Sequence, residues 1–221
     1  MTTVIFIKKK CFVCETTGKY VNAGLTDVGK PYDLDGRPDG SFRSIIYMII
    51  QRCPVCNYCS PDITQGAIQT SKIIKCDSYL RQLHDKTFPD SANSFLCWAI
   101  IQKELKNFKE AGKASLNAAW ICDDNYEYKN QSIDCRKKAL FFFKHAKSLN
   151  QALCNTTFEE SLLLIDLMRR CGMFKESSTL IKEENKRSHT EKEELTLQFQ
   201  EKMVENCDVK KHTISEVFSS F

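Results

Sequence analysis

Five cysteines among the first sixty residues carry the most pointed chemistry in this 221-residue chain. Cys11 and Cys14 in "KKCFVCET" and Cys53 and Cys56 in "QRCPVCNY" form two C-x-x-C pairs with 38 residues between them. Zinc binds four thiolates in a tetrahedron at about 2.3 Å, and a two-residue gap lets both sulfurs of one turn converge on a single ion. Four thiolates around a divalent cation leave an excess of negative charge, for which Lys8, Lys9, Lys10 and Arg52 stand nearby in the sequence. No coordination position then remains for water or substrate, so the ion is structural. The spacing predicts one structural Zn²⁺ on Cys11, Cys14, Cys53 and Cys56, with free thiols or a rubredoxin-like iron as alternatives.

Cys59 extends the second pair to C-x-x-C-x-x-C. A ferredoxin-type iron–sulfur run would continue with x₃-C-P, but the position four beyond Cys59 is Ile63. Cys59 is therefore expected close to the metal but outside its tetrahedron, as a buried thiol. A reactive thiol that releases zinc on oxidation is the alternative.

The elements around these residues follow from pattern. Strand-like runs, "TTVIFIK", "GKYVNAG" and "SFRSIIYMIIQR", are punctuated by Gly18, Gly24, Gly29, Gly36 and Gly40. Each cysteine pair follows such a run, as in a zinc ribbon. Between the pairs, "KPYDLDGRPDGSFRS" reads as a turn-rich surface loop with local salt bridges; a calcium loop would need Glu where Ser44 stands. Beyond residue 63 helical periodicity takes over, with "SKIIKCDSYLRQLHDK" as the first helix. "LKNFKEAGKASLNAAW" and "RRCGMFKESSTLIKEE" each read as helix, turn, aromatic (Phe108, Phe174) and second helix. Ala111, Ala118 and Ser177 are the expected small packing residues, as in a tetratricopeptide repeat. Leu195, Phe199 and Met203 predict an apolar stripe on a charged final helix. The segment "CDVKKHTISEVFSSF" is left as an ambiguous, partly disordered end.

The expected fold is therefore α+β. A small β zinc-ribbon-like N-terminal domain (1–63) precedes a larger all-α array of antiparallel TPR-like helical hairpins (64–188) and a charged C-terminal helix and tail (189–221).

Hydrophobic content of 42% with 27% charged residues suits a chain that buries a core. No apolar run approaches the roughly 18 residues of a membrane span. The lysines of "MTTVIFIKKKC" follow the apolar run, the reverse of a signal peptide, which predicts a cytoplasmic protein. In that compartment the remaining cysteines of the 12, such as Cys97 and Cys122, behave as small buried hydrophobes. The net charge of +4 divides evenly at residue 62 and marks neither half as a phosphate-gripping module.

The double C-x-x-C, "DLDGRP", "QRCPVCNYCSPDI", "FLCWA", "AAWICDD", "CRKKA" and "DLMRRCGMF" together resemble a bacterial family of unknown function. That family couples an N-terminal zinc-ribbon-like region to tetratricopeptide-like helices. The resemblance spans roughly residues 8–185 and leaves out the segment from His189. It supports the four named cysteines as metal ligands and implies no activity.

The four histidines, His84, His145, His189 and His212, are scattered, and the chain has no P-loop, G-x-G-x-x-G, nucleophile elbow or H-E-x-x-H motif. Asp123–Asp124 is the one adjacent acidic pair weighed as catalytic, and it reads more simply as the start of a loop. The sequence favours a non-enzymatic scaffold or adaptor that binds a protein or peptide on its helical surface. The alternatives are nucleic-acid binding through Lys8–Lys10, Arg37, Arg43 and Arg52 with Phe12 or Tyr58 stacking, and thiol or zinc redox sensing.

Overall fold

The computed structural model describes residues 3–24 and 32–220. Gly29, one of the expected turn markers, lies outside the described residues. The architecture is α+β, with two small β hairpins in the N-terminal part and helices through most of the remainder. Strand β1 (Thr3–Lys10) pairs antiparallel with β2 (Thr17–Gly24), Lys10 opposite Thr17 and Ile7 opposite Tyr20. Strand β3 (Gln51–Arg52) pairs antiparallel with β4 (Cys59–Ser60). Each hairpin thus turns back over one C-x-x-C pair.

The run "SFRSIIYMII", expected as a strand, instead forms helix α1 (Ser41–Ile45) and a 3₁₀ turn at Ile46–Met48. The burial pattern supplies the reason. Ile45, Ile46 and Ile50 are buried while Tyr47 is half exposed, a helical repeat where a strand would bury alternate residues. The predicted helix "SKIIKCDSYLRQLHDK" is also two helices, α2 (Thr70–Ile73) and α3 (Asp77–Leu83), because Cys76 is extended and acts as the N-cap of α3.

The chain divides into two compact units, Met1–Asp27 with Ser44–Gln151 and Val28–Arg43 with Ala152–Phe221. Both hairpins and the helices between residues 70 and 148 therefore share one unit. In that unit α5 (Phe108–Asp123) packs against α4 (Asp90–Glu104) and α6 (Lys129–Ser148). Ala111, Ala114, Ala118 and Ala119 of α5 are buried, which brings the helices close. Phe108 and Trp98 flank a cluster of Ala99, Ala111, Ala114 and Phe142. Helix α4 ends with Lys106 in the left-handed region (φ 60°), where the Asn107 N–H reaches back to the Gln102 carbonyl.

The second unit repeats that local device. Helix α7 (Thr157–Arg170) ends at Gly172 (φ 73°), and the Met173 N–H bonds the Met168 carbonyl before α8 (Phe174–Glu184) begins. Both expected helical hairpins are therefore present, each with its aromatic as the first residue of the second helix. Ser177 is buried and its hydroxyl donates to the Ile165 carbonyl. Helix α9 (Glu191–Glu205) follows, but its buried face is broader than the Leu195–Phe199–Met203 stripe. Leu197, Phe199, Gln200 and Val204 are buried, whereas Leu195 and Met203 are half-buried.

The C-terminal end is ordered, contrary to expectation. Helix α10 (Ile214–Ser219) starts at a capping box in which Thr213 and Glu216 satisfy each other's backbone N–H groups. The "DLDGRP" segment is not a surface loop either. Asp33, Leu34, Asp35 and Arg37 are all at most 8% exposed. The Leu34 N–H donates to the His212 carbonyl, Asp35 accepts from Arg170 at 2.7 Å, and Asp33 accepts from Arg43 at 2.6 Å. A turn-rich stretch of mixed charge reads as solvated until its counter-ion, 135 positions away in the case of Asp35 and Arg170, is known.

This packing sets the expected cost of three substitutions. A methyl group at Gly112 would sit 2.4 Å from the Phe143 ring, so Gly112→Ala destabilises by about 1–3 kcal/mol in denaturant unfolding. Gly172→Ala, with nothing within 4 Å, costs only the left-handed backbone penalty of about 1 kcal/mol. Asp35→Ala removes the Asp35–Arg170 ion pair from a site where both side chains are at most 9% exposed, and lowers unfolding free energy by roughly 3 kcal/mol.

Candidate metal centre

The two cysteine turns have the same backbone. In the first, the Cys11 carbonyl accepts the Glu15 N–H and the Cys11 N–H donates to the Thr16 carbonyl. In the second, the Cys53 carbonyl accepts the Asn57 N–H and the Cys53 N–H donates to the Tyr58 carbonyl. Closing this loop needs a left-handed residue just after the second cysteine, and Glu15 (φ 60°) and Asn57 (φ 58°) fill those places. Asn tolerates that conformation; Glu pays roughly 1–2 kcal/mol for it. Each carries a local contact, Glu15 with Lys10 and Asn57 with the Arg52 guanidinium.

The turns are tied to each other as well as closed. The Phe12 N–H donates to the Ile63 carbonyl, and Lys9 pairs with Asp62 at 3.0 Å. The Gln51 amide donates to the Val21 carbonyl of β2 while its oxygen accepts the Ile63 N–H. Tyr79 of α3 donates its hydroxyl to the Asn57 carbonyl at 2.7 Å and accepts the Cys59 N–H, which extends the short β3–β4 ladder with a side chain.

As a result the sulfurs of Cys11, Cys14, Cys53 and Cys56 lie within 4.8 Å of one another. The Cys11–Cys56 separation is 3.7 Å and the Cys14–Cys53 separation 3.5 Å. A tetrahedron with 2.3 Å metal–sulfur bonds has an edge of about 3.8 Å, whereas a disulfide needs about 2.05 Å. The donor set therefore fits one tetrahedral metal ion. Cys11 and Cys53 are buried and Cys14 and Cys56 half-buried.

Cys59 lies outside this cluster, fully buried, with its sulfur 3.5 Å from the Asn57 carbonyl. A hydrogen bond from the neighbouring Cys97 thiol holds Cys59 down against the burial that pushes it up. Of the cysteines beyond it, Cys97, Cys122 and Cys135 are buried as expected, whereas Cys207 is exposed.

The other candidates have local structural partners. His145 bonds the Phe141 carbonyl and stacks on Phe108, His189 bonds the Glu184 carbonyl, and His212 lies between Asp208 and Glu216. Asp123 is clasped by Arg136 through both guanidinium nitrogens. Of the residues named for a nucleic-acid surface, Lys9, Lys10, Arg43 and Arg52 are engaged in the contacts above and Arg37 is 1% exposed. Tyr58 is fully buried with its hydroxyl on the Gln65 carbonyl, and the Phe12 ring covers Gly66. Sequence reasoning missed Tyr79, Gln51 and Thr16 as supports of the site: Tyr79 lies outside both cysteine motifs, and Gln51 and Thr16 stand at their ends with side chains whose partners the spacing does not reveal.

No protein family, curated protein or solved structure matched the chain. The family resemblance accordingly rests on the quoted motifs alone. Among the described residues, no helix is long and apolar enough to cross a membrane.

The free sulfurs differ in acidity. The Thr16 hydroxyl and N–H hold the Cys14 thiol down to about 6, whereas burial pushes Cys11 and Cys56 up. In metal-stripped protein at pH 7, Cys14 is therefore mostly thiolate and reacts first with iodoacetamide, as peptide mass spectrometry reads directly. Its rate falls as pH drops through 6. Thr16→Val raises the thiol toward its ordinary value and slows Cys14 alkylation at pH 7 by about ten-fold.

Proposed function

We propose that this protein is a non-enzymatic interaction module, a scaffold or adaptor whose N-terminal hairpins are held by one structural zinc ion on Cys11, Cys14, Cys53 and Cys56. The convergence of four sulfurs is the observation that carries this reading. Four thiolates saturate zinc, which then supplies folding free energy instead of a reactive water. The motif set favours the bacterial family of zinc-ribbon-like and tetratricopeptide-like proteins.

The partner surface in this reading is the groove of about 440 Å³ along α8, lined by Phe174 and Val204 together with Lys175, Lys182 and Glu205. An apolar lining with two cations and one anion suits a peptide segment that carries an apolar anchor and a carboxylate for the lysines. Its occupant is read as protein, because the basic residues expected to grip nucleic acid lie elsewhere in the fold.

Metal analysis of purified protein should return one zinc per chain, with loss of the ion in Cys14→Ser/Cys56→Ser. Affinity capture from the native cell should retain a partner that Lys175→Glu/Lys182→Glu loses. Equal recovery by both proteins, or none by either, removes the groove from the proposal. A metal-free wild type removes the zinc.

A further inference from the structure

Tyr20 sits on β2 opposite Ile7 and is 6% exposed. Its hydroxyl has no hydrogen-bond partner, although a buried phenol nearly always has one. The surroundings show what it faces. The sulfur of Cys53 lies against the hydroxyl, and those of Cys11 and Cys14 lie near it. Gly18, two positions earlier on the same face of the strand, makes room for this placement. A methyl group there would come within 2.9 Å of the Tyr20 ring and 3.1 Å of its oxygen, so the ring lies over a position that has no side chain.

Neutral thiols are poor acceptors, and thiolates are strong ones. A buried phenol with no partner, beside a sulfur that would be a thiolate once a metal is bound, is placed to donate to that thiolate. Tyr20 comes from the first hairpin to a sulfur of the second.

We infer that Tyr20 is a positioning residue of the metal centre, its O–H donating to the Cys53 thiolate in the loaded site. The bond withdraws charge from one sulfur, fixes its lone pairs, and ties β2 to the second cysteine turn. This inference rests on the four-sulfur reading above. Partners in this outer layer typically tune metal affinity by ten-fold or more.

Cobalt(II) gives the probe, because its sulfur-to-metal charge-transfer band reports electron density on the thiolates. With the full chain loaded with Co²⁺, Tyr20→Phe keeps the ring over Gly18 and removes only the hydroxyl. The band should move to lower energy, and affinity measured by chelator competition should weaken by about ten-fold. Gly18→Ala, which keeps the hydroxyl but displaces the ring, should shift the band in the same direction. A band and an affinity unchanged in Tyr20→Phe overturn the role of Tyr20 while leaving the four-sulfur centre standing. Should Tyr20→Phe fail to fold, an unshifted Gly18→Ala band overturns it alone. Absence of a thiolate–cobalt band in the wild type would sink both the centre and this inference.

Discussion

The left-handed backbone at Glu15 and Asn57 is the constraint on which the metal centre depends. It lets each turn close so that the first cysteine's carbonyl and N–H are both satisfied and the two sulfurs point the same way. Without that closure a C-x-x-C pair is only two thiols in sequence. With it, two turns distant in the chain present matching edges of one tetrahedron. The supports are arranged around this need. Tyr79 holds the carbonyl of Asn57, and Gln51 links β2 with the backbone beyond the second turn.

The second unit uses a different means of long-range cohesion. Asp35 and Arg170, and Asp166 and Arg169, are buried ion pairs whose charges would be costly to leave alone. Such pairs specify which segments meet more than they add net stability. In this unit the Asp35–Arg170 pair fastens the short Asp33–Arg37 segment to α7, the Asp166–Arg169 pair lies within α7 itself, and backbone bonds from Leu34 and Ile214 align the segment with the start of α10.

Legibility in the sequence followed the range of the interaction. The cluster of four cysteines was readable because the C-x-x-C spacing is local, and both helical hairpins were readable from an aromatic after a turn and small residues after that. The strand assigned to "SIIYMII" failed because a short apolar run carries either period, and burial against neighbouring elements decides. The tail around Thr213 reads as ambiguous and partly disordered from its composition, although it carries a Thr-x-x-Glu signal of the kind that also opens α7 and α9. The burial of "DLDGRP" could not be read at all, since the arginine that neutralises Asp35 has no sequence relation to it. Tyr20 was invisible for the same reason: its role comes from facing a sulfur in another hairpin.

The alternation of burial among the four sulfurs makes the centre one-sided. Each turn contributes an inner sulfur, Cys11 or Cys53, and an outer one, Cys14 or Cys56. Solvent, a competing chelator or an exchanging ion meets only the outer pair. Were an ion bound there, those two sulfurs would be the ones a chelator could reach, while Cys11 and Cys53, one from each hairpin, would hold it from the buried side.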